Sequence, residues 1–250
     1  MRNLLITMAY RGTAYHGSQV QDNALTITEV FQDALEKVVG RREDIKCCSR
    51  LDAGVHANMF CISFKTQCSI PCEGLLRGLN SCLPGDMAVC EAKEVPLDFH
   101  ARYSARGKEY IYKVHNTIVR DPLMAGLVCE YPKPIDEKTL HEAAQAFVGS
   151  YDFSAFCSSG GSVKDTIRTI RRFSVYREGD MVLFAVAGDG FLYNMVRIMV
   201  GTLLDVAAGK IAADDLTSII ASKDRSRAGK TAPSCGLYLN RVFYDEIDLG

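Results

Sequence analysis

The chain has 250 residues, 48% hydrophobic and 24% charged, with a net charge of −1. That balance suits one large or two small globular domains and excludes a disordered or collagen-like chain. A charge near zero also excludes a global positive field, so a nucleic acid partner has to be held by local basic patches.

Ten cysteines are present, with no C-x-x-C spacing and no companion histidine cluster, so no zinc site is predicted. Most sit in apolar runs, where a free Cys behaves as a small hydrophobe, and they read as reduced thiols of a cytoplasmic protein. The apolar start is short and broken by Arg11, unlike a signal peptide, and no run reaches the length of a membrane span.

In chain order, "LLITMAY" reads as a strand and "TITEVFQDALEKVVG" as a helix. Thr26 and Glu29 make a capping box, and Gly40 stops the helical period. "IKCCSRL" and "MFCISFKT" read as two strands joined by a turn, with Asp52 at its tip. "CEGLLRGLNSCL" is a helix ended by Pro84, and "DMAVCEAKEV" a closing strand. The order β-α-β-β-α-β is the ferredoxin-like arrangement. The second half repeats it: strand "EYIYKVH", helix "DEKTLHEAAQAFVG" capped by Asp136, and a hairpin turning at Glu178-Gly179-Asp180. A long helix "FLYNMVRIMVGTLLDVAAG", a shorter "DDLTSIIAS" and a last strand "GLYLNRVFY" follow. The fold class predicted is α+β: two ferredoxin-like domains with mainly antiparallel sheets, over 1–104 and 105–250, around a basic central cleft.

Asp52 is a lone carboxylate on a tight bend, and such an Asp commonly serves only its own turn. On pattern alone the turn role is the commoner one; Arg50 nearby, and Gly54, which lets a ligand approach closely, are the points for a chemical role. Arg197 is expected in the second turn of the long helix, where a cation near the N-terminus does better with an anionic partner. With Asn194, Gly201, Asp205 and Ala208 it forms a small, polar stripe separate from the apolar one. Tyr110 and Tyr112 fall on the same strand face; for one of them packing is the expected role, and the other offers a ring to stack on a base. Basic clusters lie at Arg41-Arg42, at Arg168, Arg171 and Arg172, and at Lys223, Arg225, Arg227 and Lys230. Each alone is a solvated face; together, on a neutral chain, they fit a phosphate-binding track. "GDGFLYN" and "SSGG" lack the form of phosphate loops, so no nucleotide cofactor is predicted.

Taken together, "YRGTAYHGSQVQ", "SRLDAGVHA", "GLNSCLPGDMAV", "DFHARYSARGKEYIY", "GDGFLYNMVRIMVGTLL" and "AGKTAPSCGLYL" resemble, in order, the motifs of the tRNA pseudouridine synthase A family. "SRLDAGVHA" is similar to its R-T-D-A-G-V-H catalytic loop. The resemblance implies a cytoplasmic, homodimeric isomerase that converts uridine to pseudouridine in the anticodon stem-loop of tRNA, with no cofactor and no metal. It implies Asp52 as the catalytic aspartate, Arg197 as its partner and Tyr110 as the tyrosine stacked on the target base. It implies Arg50 of the loop at the flipped nucleotide; His56 is expected at the substrate, and Arg168, Arg171 and Arg172, from their charge, at RNA phosphates. Four residues depart from the family pattern: Arg11 for Asp, Ser18 for Trp, Ser49 for Gly and Leu51 for Thr. They point to altered substrate choice, or to an RNA-binding paralogue with another target or reduced catalysis, more than to another reaction.

Overall fold

A computed structural model describes residues 1–160 and 165–245; of the "SSGG" run, Gly161 lies outside them. The chain divides into two compact units: Met1–Arg106 joined by the segment from Tyr238, and Gly107–Leu237.

The first unit runs β1 (Arg2–Tyr10), α1 (Ile27–Val39), β2 (Ile45–Cys47), β3 (His56–Thr66), α2 (Cys72–Cys82) and β4 (Met87–Val95). β1 lies between β3 and β4 and is antiparallel to both, and β2 pairs antiparallel with β3. This is the strand order of the split βαβ fold. The Thr26 half of the predicted capping box is in place: its hydroxyl accepts the Glu29 N–H at 3.4 Å, and Gly40 ends α1 with φ 80°. Phe31 and Leu35 of α1 and Leu75 and Leu79 of α2 are fully buried, as are Leu4, Ile6 and Met8 of β1. Burying such side chains is worth roughly 1.5–3 kcal/mol each. The segment after β4 closes one sheet face: Asn3 donates to the Pro96 and Phe99 carbonyls, and the Ser63 hydroxyl accepts the Ala101 N–H.

The second unit runs β5 (Gly107–His115), β6 (Cys129–Glu130), α3 (Glu137–Ala144), β7 (Gly149–Asp152), β8 (Ile167–Glu178), β9 (Met181–Gly188), α4 (Met195–Ala207) and α5 (Asp215–Ser222). Its strands lie in the order β5-β9-β8-β7, with β6 parallel to the end of β5. The β8–β9 hairpin turns at Gly179 and Asp180, as expected, with Gly179 at φ 57°. Phe147, Phe153, Phe156, Phe173 and Phe184 form a buried aromatic core. The expected helix after Asp136 is shorter, because a 3-10 turn takes over at Gln145–Phe147.

β10 (Leu237–Phe243) differs from the expectation of one continuous domain over 105–250. From Tyr238 the chain belongs to the first unit, where it runs parallel to β3 with Tyr238 opposite His56. A parallel pairing between distant segments leaves no local signature, unlike a hairpin. Among the described residues no helix is long and apolar enough to cross a membrane. None of the ten cysteines forms a disulfide.

Candidate active site

Asp52 is half-buried in the connection from β2 to β3, at the first position of a tight turn. The Val55 N–H donates to the Asp52 main-chain oxygen at 3.2 Å, and Gly54 has φ 76°. That is the third-position geometry of a type II turn, where any Cβ is strained. If Asp52 served an Asx turn, its carboxylate would accept the N–H two residues on. Gly54 instead gives its N–H to the Tyr15 carbonyl at 3.2 Å. Main-chain oxygens therefore take the Gly54 and Val55 N–H groups of this bend.

A cradle of residues 12–18, between β1 and α1, supports the loop. The Gly12 N–H donates to His56 Nδ1 at 3.0 Å. Ser18 grips Leu51 twice: its N–H donates to the Leu51 carbonyl at 2.9 Å, and its hydroxyl accepts the Leu51 N–H at 2.8 Å. A Cβ on Gly12 would lie 2.0 Å from the Val55 oxygen, and one on Gly17 2.7 Å from the Leu51 oxygen. Both glycines let one backbone lie directly on the other. Sequence reasoning missed this cradle; its signal was the pair of glycines in "YRGTAYHGSQVQ". Two of the departures from the family pattern, Ser18 and Leu51, are thus bonded to each other.

Arg50, two residues before Asp52, is exposed. His56, expected at the substrate, is fully buried and stacks on Tyr238 at 4.5 Å and 22°. Its position pins the end of the loop to Gly12 and β10.

In the second unit the two tyrosines of β5 are both buried but are held differently. Tyr112 is fully buried, and its hydroxyl donates to the Pro233 carbonyl at 2.7 Å. Burial above all, and Cys129 next, push its phenol far above the usual tyrosine range, so it stays neutral. A Cβ on Gly236 would meet the Tyr112 ring at 2.6 Å, a sign of how tightly it is packed. Tyr110 lies edge-on to Phe191, with ring centroids 5.0 Å apart. Tyr112 is thus the packing member of the pair.

Arg197 lies in the first turn of α4, not the second as expected. The helix starts late because Asn194 takes the left-handed conformation at φ 61°, which Asn tolerates better than most residues. Arg197 is held from two sides: Nε donates to the Ala232 carbonyl at 2.8 Å, and Nη1 to Asn194 Oδ1 at 2.7 Å. The Ala232 N–H returns a bond to the Arg197 carbonyl at 3.1 Å. The small stripe of α4 is the bed for this segment. A Cβ on Gly201 would lie 1.7 Å from the Lys230 oxygen, and the Thr202 hydroxyl accepts the Gly229 N–H at 2.9 Å. The sequence shows the stripe but not what lies on it.

The basic clusters differ in how they are engaged. Arg42 pairs with Asp33 and Glu36, and Arg41 with Glu43, so that cluster is a solvated face. Lys223 pairs with Asp152 at 2.8 Å. Arg225 bonds the Ala228 and Gly229 carbonyls within its own loop, and Arg227 ties that loop to Ser218 of α5. Lys230 is exposed. Arg172 pairs with the buried Glu109 at 2.7 Å, and Arg168 bonds the Asp165 and Ile167 carbonyls. Arg171 is exposed, at a bulge of β8 where the register shifts between Ile170 and Arg172.

A protein-family profile described as tRNA pseudouridine synthase matches residues 6–104 and 143–245. Asp52, Arg197 and the three arginines of β8 fall inside the matched segments; Tyr110 falls between them. A tRNA pseudouridine synthase A of Acetivibrio thermocellus is 45% identical over 244 residues, spanning 98% of this chain and 100% of that one. The protein of that name from Thermoanaerobacter pseudethanolicus is also 45% identical, with the same coverage. The one from Ruminiclostridium cellulolyticum is 43% identical over 245 residues, covering 98% of this chain and all of its own. With the family profile covering most of the chain and these relatives 98% of it, this chain belongs to the tRNA pseudouridine synthase family.

Proposed function

We propose that the chain isomerises uridine to pseudouridine in the anticodon stem-loop of tRNA, in the cytoplasm, with Asp52 as the reacting carboxylate. The observation that carries this reading is the Asp52 loop. Within the family-matched residues, a half-buried carboxylate sits on a turn whose Gly54 and Val55 N–H groups are taken by main-chain oxygens.

The reaction breaks the bond from N1 of uracil to C1′ of the ribose and joins C5 to C1′. N1 gains a proton and C5 loses one. Nothing is oxidised or reduced, and no water is added. A glycosidase needs a second carboxylate to activate water, whereas here one can suffice. Asp52 can attack the sugar, attack the base, or take a sugar proton to give a glycal; each route needs the ionised form next to an extruded base. We assign Arg197 as its cationic partner, Tyr110 as the ring on which the flipped base stacks, and Arg50 as a contact to the flipped nucleotide. His56 supports the loop from within. The direct test is release of tritium from tRNA labelled at uracil C5. Release by the wild-type chain is expected, and an RNA-binding paralogue without chemistry releases none.

Flipping costs a few kcal/mol, and stacking on Tyr110 offsets part of that, roughly 1–3 kcal/mol. Tyr110→Ala is therefore expected to weaken tRNA binding by that amount, and Tyr110→Phe to bind normally. If the hydroxyl also moves a proton, Tyr110→Phe turns over slowly. Tyr112→Phe should cost about 1 kcal/mol of stability through the lost bond to Pro233 and leave turnover unchanged. Full activity in both Tyr110 variants would move the stacking role elsewhere.

We assign Arg168, Arg171 and Arg172 to RNA phosphates, with Lys230 and the positive field of its loop in support. Arg171 carries the main expectation, because it is exposed. Reversal of Arg171 to Glu should lower tRNA affinity at low salt and reduce the log-log salt slope by about one unit. An unchanged slope would make the cluster a solvated face. We further propose that the enzyme works as a homodimer. Ile118, Val119 and Leu123 are at least three-quarters exposed and offer apolar surface for a second copy; analytical ultracentrifugation reads the mass directly.

A further inference from the structure

We propose that Ser18 is a positioning residue for Asp52: its buried side-chain hydroxyl fixes the peptide from which the catalytic carboxylate is launched. The inference rests on the reading of Asp52 as the reacting group.

The main chain from Leu51 to His56 is held by the 12–18 cradle at its start, middle and end. Two of those contacts use a side chain, Ser18 before Asp52 and His56 after it. Ser18 binds both the N–H and the carbonyl of Leu51, at 2.8 and 2.9 Å. The Leu51 carbonyl shares its peptide plane with the Asp52 N–H. The Leu51 N–H belongs to the plane before it. Holding both planes steadies the backbone torsions of Leu51, and with them the position of the Asp52 Cα from which the side chain leaves the chain. Ser18 is 2% exposed and Leu51 7%, so water does not readily replace a lost partner. The Leu51 side chain has no oxygen of its own with which to bond locally. Position 18 therefore supplies the hydroxyl that steadies this backbone.

Ser18→Ala keeps the main-chain bond and removes the hydroxyl. An orphaned buried N–H recovers a partner by tilting its peptide, and small misplacements of a reacting group carry large rate penalties. We expect kcat for pseudouridine formation to fall about tenfold, with KM for tRNA and tRNA affinity unchanged. Ser18→Thr retains an oxygen acceptor and should recover most of the rate, whereas Ser18→Cys, a weak acceptor of similar size, should not. A residue that serves folding alone would lower the active fraction, not split kcat from KM among folded molecules. Rates are therefore normalised to folded enzyme by titration with tRNA.

Amide hydrogen exchange supplies a second measurement that needs no activity. The Leu51 N–H should exchange faster in Ser18→Ala and return to the wild-type rate in Ser18→Thr. Unchanged exchange at Leu51, or wild-type kcat in folded Ser18→Ala, would overturn the proposal. Absence of pseudouridine with the wild-type chain would instead overturn the functional reading, and exchange at Leu51 would still decide whether the hydroxyl grips the loop.

Discussion

Asp52→Asn is expected to fold with near-normal stability, bind tRNA as the wild type does, and form no detectable pseudouridine in a single turnover. Two roles for this residue make opposite forecasts. A turn-forming Asp is replaced well by Asn, which tolerates the same backbone conformations and bonds the same donors. A reacting carboxylate is not, because Asn is neither an anionic nucleophile nor a base. The bend decides which role to test. Its N–H groups at Gly54 and Val55 go to the Tyr15 and Asp52 main-chain oxygens, and Gly54 supplies the φ of 76°. A side-chain change from oxygen to nitrogen leaves all of that in place, so the stability change should stay within about 0.5 kcal/mol. The rate should fall about 10³-fold or more, the loss expected when a group that handles the reacting bond is removed. The measurement uses enzyme in excess over tRNA, with mass spectrometry to exclude deamidation of Asn back to Asp. Wild-type turnover by the verified variant would return Asp52 to the status of a turn residue.

What could be read from the chain beforehand follows from how local each signal is. Helix α1 was legible because Thr26, Glu29 and Gly40 act within their own turns. The β8–β9 hairpin was legible because Gly179 and Asp180 join the strands they separate. Asp52 was singled out from "LDAGVHA", where the residues that shape the turn are its neighbours. The cradle beneath it was not, because Ser18 meets Leu51 across 33 positions through bonds that no periodicity reports. The return of β10 to the first unit escaped for the same reason. α4 shows a middle case: its apolar stripe was visible, but the left-handed Asn194 that delays its start is held by a local bond from Arg197 and a long-range bond to Ser158. Tyr110 and Tyr112 were equivalent in sequence, and long-range contacts separate them: the Pro233 carbonyl and Gly236 at Tyr112, and Phe191 at Tyr110.

Gly201→Ala is expected to lower both stability and turnover, and it links the packing of α4 to the proposed chemistry. The added Cβ would lie 1.7 Å from the Lys230 carbonyl oxygen, and the obstacle is backbone, not the end of a flexible side chain. The 229–232 segment must therefore lift from the helix by about 1 Å or more to restore ordinary contact. That segment is also what orients Arg197, through the Ala232 carbonyl on Nε and the Ala232 N–H on the Arg197 carbonyl. Lifting it strains or breaks both bonds and the Gly229 N–H bond to Thr202. Overpacking of this kind costs roughly 1–3 kcal/mol, so the thermal midpoint should drop measurably. A guanidinium displaced by about 1 Å leaves the place that its proposed role requires, which predicts a rate loss of about 10²-fold in the molecules that remain folded. Gly85→Ala is the matched control: its Cβ meets nothing within 4 Å, so neither property should change. Arg197→Met should reproduce the rate loss of Gly201→Ala without the steric clash. If Gly201→Ala kept the wild-type midpoint and rate while Arg197→Met was inactive, the 229–232 segment would be free to move away from α4 without disturbing Arg197, and the bonds to Asn194 would be sufficient to aim it.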